Sequence, residues 1–414
     1  MTISTSPRSI EARYVLLTRI PLFKDNQGKL YTDRLWSIDL LEHLNYIPRL
    51  RLCCPVNDIA DAPADIVLLE PFSLDRVTPL REDKGWLSVA ANIVPNFVRV
   101  LQAVKKTDIA HGGLAGWAFP LDYYLLALKP FLSFQWITVM ESSFWMKHTA
   151  VRNGLRQWLG HHLHLALVRR CLKAADIRIF TQDWYRDHML GGDTRNTLIN
   201  EASWVGEKDV LQFASLKAQQ LLKSGPVKLL MPVRLIGDKG VQTLLDAVTE
   251  IEHNYLKKPG SWPIIIDIIG SGPMESEVRR FLKGHTGRAV QMSLLEPVEY
   301  GPAFFALLSR YDAIIVANLK EEQPRIIYDA FSQGIPCIAS RTSGILQIVK
   351  EPENAMLFSP GSAGELAERL REASQAREKL AGMGEKALAF ASDRTHQAMH
   401  RTRANFLLET LRLP

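Results

Sequence analysis

Cysteine is scarce in this chain, with four residues among 414: Cys53 and Cys54 are adjacent, Cys171 and Cys337 isolated. No CxxC pair or Cys/His spacing occurs, which excludes a zinc finger and a disulfide-stapled scaffold. The four are read as small buried hydrophobes in a reducing compartment. No stretch approaches 18 uncharged apolar residues, so no segment is expected to span a membrane. The opening residues, MTISTSPRSIEAR, are polar and lack a signal-peptide core. The protein is therefore expected in the cytoplasm, or resting on a membrane from the cytoplasmic side. A large excess of one charge is also lacking: 50 Lys and Arg against 44 Asp and Glu leave +6. That excess is too small for a nucleic-acid coat, and no nucleic-acid partner is expected. It does permit attraction to an anionic leaflet or a phosphorylated substrate.

What is present is an ordinary globular composition, 47% hydrophobic and 23% charged, over a length that suits two domains. Short apolar runs alternate with amphipathic segments. RYVLLTRI reads as a buried first strand, FKDNQGKLYTDR as a loop holding Gly28, and LWSIDLLEHLNYI as a helix. RLRLCCPV, ADIVLLEPF, the stretch leading into TDIAHGG, FQWITVMES and DIRIFTQD continue the series of strands. The second half repeats it more cleanly: PVKLLMPVRL, PIIIDII, AVQMSLL, DAIIVAN and IPCIAS are strands with helical segments between them. Such alternation implies two mostly parallel sheets covered on both faces. The boundary is expected in the polar stretch 222–226, giving domains 1–222 and 223–393. A final helical segment, 394–414, could pack on either.

In open parallel sheets, ligands bind beyond the carboxyl ends of the strands. Three loops there carry chemistry. Arg234 and Lys239, five residues apart and followed by Gly240, suit a diphosphate, although a solvated basic turn has the same pattern. Gly270-Ser271-Gly272-Pro273 allows close backbone approach. A GxGxxG fingerprint is lacking, which argues against a dehydrogenase. Glu321 precedes a helix started by Pro324, with Asp329 inside it. The free N–H groups of Gln323, Arg325 and Ile326 would be donors at that start, and a carboxylate there could accept from sugar hydroxyls. The competing reading is a helix start decorated with acids.

Taken together, Arg234…Lys239-Gly240, Gly270-Ser271-Gly272-Pro273, Glu321-x7-Asp329, Gly334-Ile335-Pro336-Cys337-Ile338-Ala339 and Thr342-Ser343-Gly344 occur in an order that resembles the retaining glycosyltransferases of family 4, the glycosyl transferases group 1. The likeness is specific over residues 227–370, roughly a third of the chain. In the first half it rests on strand–helix rhythm and on Asp108-Ile109-Ala110-His111, which looks like the family's D-x-x-H strand end.

The resemblance implies a GT-B fold: α/β, two doubly wound Rossmann-like domains facing across a cleft. The first would bind acceptor, and the second a nucleotide-diphosphate sugar. A hexosyl group would pass with retention to a glycan or lipid-linked acceptor, in cell-surface polysaccharide or glycolipid synthesis. Arg234 and Lys239 would neutralise the diphosphate, Glu321 would sit by the donor sugar, and Asp329 would bind the ribose hydroxyls. Gly270, Gly272, Pro273 and the backbone of Gln323, Pro324, Arg325 and Ile326 would complete the donor site, with Gly28 closing over the diphosphate. His111 would be catalytic, and Glu141, at the end of a strand, would face acceptor or sugar. No metal and no resident cofactor are implied, since the nucleotide sugar is a co-substrate and the aspartate pair of GT-A enzymes is lacking.

The departures from the family pattern are Asp329 for Glu, Glu322 and Gln323 where Gly and an aromatic are common, Gln347 for Glu, and Val233 for the Gly before the Arg. The alternatives are a sugar phosphate synthase with a small soluble acceptor and a catalytically silent GT-B scaffold. The segment 147–173 mixes arginines with Trp158, Leu163 and Leu167. It is read either as a solvated helix packed on its own domain or as a helix lying on an anionic membrane. His161, His162 and His164 within it are too contiguous for a helical i,i+4 metal pair.

Overall fold

The computed structural model describes residues 9–60, 63, 66–114, 119–141, 155–222, 224–257, 264–285 and 287–412. The chain forms two compact units, Met1–Glu201 with Met399–Pro414, and Ala202–Ala398.

In the first unit the strands are β1 (Tyr14–Leu17), β2 (Leu22–Lys24), β3 (Leu30–Asp33), β4 (Leu50–Asp58), β5 (Ile66–Leu68), β6 (Val77–Leu80), β7 (Ile109–Gly113), β8 (Gln135–Met140), β9 (Ile177–Phe180) and β10 (Thr197–Ile199). The helices are α1 (Arg34–Tyr46), α2 (Trp86–Val104), α3 (Asp122–Leu128), α4 (Leu155–Ala174) and α5 (Asp183–Leu190). Strands β6–β4–β1–β7–β8–β9–β10 pair in parallel, while β2, β3 and β5 form an antiparallel extension joined to β4 through β2. Successive residues of β1 point to opposite faces: Tyr14 and Leu16 enter one core, Val15 and Leu17 the other. Both faces are buried, which is why the strand reads as an unbroken apolar run.

Two expectations for this unit fail. FKDNQGKLYTDR is the β2–β3 hairpin rather than an open loop, with Asp25 Oδ1 accepting from the N–H groups of Gln27 and Lys29 at 2.9 and 2.8 Å. The third parallel strand is β6, VTPL, and not ADIVLLEPF, whose β5 joins the antiparallel extension.

The second unit holds α6 (Phe213–Leu222), β11 (Val227–Pro232), α7 (Val241–Lys257), β12 (Ile264–Ile269), α8 (Glu275–Gly284), β13 (Val290–Leu295), α9 (Pro302–Leu308), β14 (Ala313–Val316), α10 (Ile326–Ser332), β15 (Cys337–Ser340), α11 (Ser343–Leu346), β16 (Ala355–Phe358), α12 (Ala363–Gln375) and α13 (Arg377–Ser392). Its sheet runs β13–β12–β11–β14–β15–β16, all parallel, the doubly wound order. Leu229 and Met231 of β11 enter the core with α7 and α12, whereas Leu230 faces the core with α9, α10 and α13.

The boundary expected at 222/223 falls at 201/202. Helix α6 belongs to the second unit, where Gln220 Nε2 donates to the Ala381 carbonyl at 2.9 Å and Leu216 packs beside Gly334. The last helix, α14 (His396–Thr410), carries Ala404 and Leu407, and Leu411 just beyond it, into the core of the first unit beside Tyr14 and Leu40.

Candidate functional site

The second sheet has its topological switch between β11 and β14. From β11 the chain winds outward through β12 and β13, then returns to β14 on the other side. The crevice for a ligand in such a sheet lies beyond these strand ends. The loop after β11 carries Arg234 and Lys239, and the loop after β14 carries Asn318 to Gln323.

Glycines hold these loops together. A Cβ on Gly270 would lie 1.8 Å from the Val233 carbonyl oxygen, and one on Gly272 2.6 Å from that of Leu235. The two loops also exchange backbone hydrogen bonds, Leu235 N–H to Ser271 O at 2.9 Å and Met274 N–H to Leu235 O at 3.0 Å. Gly270-Ser271-Gly272-Pro273 therefore positions the loop bearing Arg234. Gly240, at φ +69°, would place a Cβ 2.0 Å from the Ala317 carbonyl oxygen and so brings the β11 loop against the end of β14.

Arg234 is exposed to solvent. Lys239 is mostly buried and forms an ion pair with Glu322. The neighbouring Asp238 pairs with Lys320, and its carbonyl accepts from the Leu319 N–H at 2.9 Å. Glu321 accepts from the Ser343 N–H, which fixes it against the Thr342-Ser343-Gly344 turn beyond β15. The Glu322–Lys239 contact could not be read from sequence, because it joins charges on two loops 83 residues apart.

Asp329 is buried at the start of α10, and Tyr300 Oη donates to its Oδ1 at 2.8 Å. Burial pushes its carboxyl up to about 7, with the Tyr300 hydrogen bond and the Arg325 charge opposing. One oxygen of the residue expected to hold ribose is thus already engaged. Gln323 Oε1 accepts from the Ala202 N–H at 3.3 Å, Arg325 lies over the Trp204 ring, and Pro324 and Ile326 lead into α10.

A further signal lies in neutral side chains. Asn318 Nδ2, Gln323 Nε2, Thr342 Oγ1 and Gln347 Oε1 are buried atoms without a hydrogen-bond partner among the described residues. An orphaned buried polar atom costs about 1–3 kcal/mol, so these four, on the loops following β14 and β15 and just after α11, are candidates for partners that a polar ligand would supply. Asn318 was missed from sequence and Thr342 was named only as part of the Thr342-Ser343-Gly344 turn, since their residue types are common in loops and their lack of partners is visible only in three dimensions.

The first unit departs further from expectation. His111 lies in the middle of β7, 2% exposed, with its Nδ1 2.7 Å from Tyr14 Oη. It faces the layer formed by α1 and α14, not a strand end. Burial, reinforced by the Arg403 charge, holds it well below the usual imidazole range. A catalytic contact with substrate is not open to a side chain so enclosed. Gly28, at φ +80°, serves the turn of the β2–β3 hairpin. Glu141 is exposed directly after β8, and its charge acts on Arg403.

Around His111 the side chains form one hydrogen-bonded network. Arg403 donates to His43 Nε2 at 3.3 Å, so the His43 proton sits on Nδ1, 2.8 Å from the Asp39 carbonyl. His400 Nε2 lies 3.1 Å from Asp39 Oδ1, and Tyr46 Oη lies 3.2 Å from His400 Nδ1. Ligating atoms of Asp39, His43 and His400 come within 4.8 Å of one another, the geometry of a metal site. Each ring nitrogen is already engaged, however, and the Arg403 guanidinium stands where a metal cation would repel it. The network fastens α14 to α1.

Residues 212–390 match the family model "Glycosyl transferases group 1". A lipopolysaccharide core biosynthesis glycosyltransferase, LpsD of Rhizobium meliloti (strain 1021), is 25% identical over 161 residues, 37% of this chain and 42% of that protein. The match therefore spans less than half of that relative. Among solved structures, Anabaena HepE in complex with UDP superposes with a TM-score of 0.65 at 16% identity, over 96% of this chain and all of that one (100%). Sucrose-phosphate synthase from Thermosynechococcus elongatus gives a TM-score of 0.68 at 16% identity, over 96% and 98%. The chain thus has the two Rossmann-like units of the GT-B fold, and the stretch that matches the glycosyl transferases group 1 is the one carrying the polar loops of the second sheet.

Proposed function

We propose that this chain is a retaining glycosyltransferase that moves a hexosyl group from a nucleotide-diphosphate sugar to a glycan or lipid-linked acceptor, in synthesis of a cell-surface polysaccharide or glycolipid. The observation that carries the reading is the crevice of the second sheet: Arg234 and Lys239 beside β11, with four unpartnered polar atoms on the facing loops. The relatives support the donor class, because HepE has been crystallised with UDP, with UDP and glucose, and with UDP-glucose. LpsD, named for lipopolysaccharide core biosynthesis, supports the acceptor class.

In this mechanism the bond between the sugar carbon and the diphosphate oxygen breaks as the acceptor oxygen attacks from the same face. The leaving phosphate takes the acceptor's proton. Negative charge grows on the diphosphate, and fixed cations stabilise it without reorganising. Arg234 and Lys239 supply those charges, so the reaction is assigned no metal ion. Glu321, held by the Ser343 N–H, orients the sugar, and Asp329 accepts from the ribose once Tyr300 shares it. The amide and hydroxyl groups of Asn318, Gln323, Thr342 and Gln347 bind the donor's remaining oxygens.

The competing reading is a catalytically silent scaffold. It is favoured by the Glu322 carboxylate on Lys239 and by the Tyr300 hydrogen bond to Asp329. Calorimetry of the purified chain against UDP, GDP, ADP, CMP and dTDP separates the two. Binding of one nucleotide, lost in Arg234→Ala/Lys239→Ala, supports the transferase; no binding of any supports the scaffold.

A further inference from the structure

Helix α2 has no counterpart in the expectations for membrane contact, which fell on 147–173; of that segment, 147–154 lie outside the described residues. The helix holds 19 residues with Arg99 as its sole charge, and by length and mean hydropathy it could cross a membrane, contrary to the reading that no segment could. It does not stand free, however. Asn92 and Asn96 hydrogen-bond the backbone of Glu82 and Arg81, Val89 is buried, and Val100 and Val104 enter the core beneath. A helix tied down by two asparagines on its inner face belongs to the folded unit.

Its outer face is the anomaly. Leu87 is 90% exposed, Trp86 73% and Val94 69%, with Val98 also open to solvent. Leu87, Val94 and Val98 fall on one stripe by helical spacing. At 1.5 Å per residue the helix is about 28 Å long and the stripe from Leu87 to Val98 about 17 Å. Exposed lysines bracket it, Lys84 just before the helix and Lys105 and Lys106 just after. Helix α3 joins α2 to α4 in one layer, and there Leu159 and Leu163 are exposed as well. Neither α2 nor α4 contains an Asp or Glu, while α4 carries Arg156, Arg169, Arg170 and Lys173.

We propose that this helical layer of the first unit docks on an anionic lipid surface, with Leu87, Trp86 and Val94 entering the headgroup boundary and Lys84, Lys105 and Lys106 meeting lipid phosphates. An aliphatic stripe with a Trp at its end, flanked by cations and carrying no acid on the helix itself, has the composition of an interfacial helix, and at its start lipid phosphates would compete with Glu82, 3.6 Å away, for the Lys84 ammonium. A second copy of the chain fits less well. Antiparallel pairing of two such stripes would bring the Lys84 end of one against the Lys105–Lys106 end of the other, like charge on like. The inference does not depend on the donor reading, since a chain that binds no nucleotide tests it equally.

The experiment is vesicle co-sedimentation of the full chain, with phosphatidylcholine alone and with phosphatidylglycerol added. Wild type should bind the anionic vesicles and not the neutral ones, with affinity falling as salt rises. Leu87→Asp/Val94→Asp changes two exposed positions and should leave the circular dichroism melt unchanged while binding falls at least about tenfold. Lys84→Ser/Lys105→Ser/Lys106→Ser should remove the preference for phosphatidylglycerol. Failure of wild type to bind anionic vesicles overturns the proposal, as does equal binding by the Asp variant. A wild-type dimer that Leu87→Asp/Val94→Asp splits, with no vesicle binding, overturns it in favour of a second copy.

Discussion

If a diphosphate is to reach Lys239, it must first displace Glu322. The pair is half screened, the Lys239 side chain 12% exposed and that of Glu322 30%. A fully exposed ion pair contributes about 0.2–1 kcal/mol, and a charge-assisted hydrogen bond away from water about 1.5–3 kcal/mol. The intermediate burial puts this contact at about 1–2 kcal/mol, all of it opposing an anion on the same ammonium. Glu322→Gln keeps the shape of the side chain and removes its charge, so it should tighten nucleotide-diphosphate binding about 5–30-fold. Calorimetry on both proteins measures this, and raising the salt should narrow the gap. A double-mutant cycle makes the test specific, because in a Lys239→Ala background the Gln substitution should have lost most of its effect. Unchanged or weaker binding in Glu322→Gln would refute the competition.

Three further outcomes follow from the packing. Burial lowers His400 to about 3, against an unfolded value near 6.5. The folded state thus binds fewer protons than the unfolded chain between these values, so stability is complete above about pH 6.5 and falls as pH drops through that window. For His400 alone the loss at pH 5 is about 2 kcal/mol, and His111 shifts the same way. Because Asp329 and Asp122, raised to about 7, gain stability over the same window, urea melts compare wild type with His400→Gln at pH 7 and pH 5. The stability of wild type relative to the variant should fall by about 2 kcal/mol between the two, and an unchanged difference would contradict it. Asp329 has the opposite sign, since a carboxyl raised to about 7 costs stability as pH climbs from about 4 to 7. Asp329→Asn should therefore be more stable than wild type at pH 8 by a few kcal/mol, converging with it near pH 4, yet bind nucleotide more weakly; thermal melts across pH check the first point and calorimetry the second. Gly270→Ala should cost several kcal/mol and disturb the Arg234 loop, as its Cβ would lie 1.8 Å from a carbonyl oxygen. Gly191→Ala, where nothing lies within 4 Å, should cost only about 1 kcal/mol for its left-handed φ. Similar melts for the two would show that the close approach is not needed.

The second unit was legible because its strands are buried on both faces. PVKLLMPV reads as an apolar run that ends at Arg234 and PIIIDII as one that stops at glycines, and the loops of the candidate site begin where these runs end. The GxGP turn was legible as a motif, but its physical task, seating the Arg234 loop, needed the 1.8 Å approach to Val233. The first unit was read less well. β6 is four residues with a proline, and the β2–β3 hairpin lacks the alternation that announces one. His111 was placed by a D-x-x-H likeness, yet its surroundings come from α1 and from Arg403 on a helix 292 residues later, in a contact network that no local pattern encodes. Charge pairs between loops, such as Glu322 with Lys239, escape sequence reading for the same reason.

The account rests most heavily on the second sheet's crevice binding a nucleotide diphosphate. Its direct test is titration calorimetry of wild type and Arg234→Ala/Lys239→Ala against the five nucleotides. The account predicts heat from one nucleoside diphosphate with wild type and none with the double variant, at matched thermal stability. No binding to wild type, or equal binding to both proteins, would contradict it.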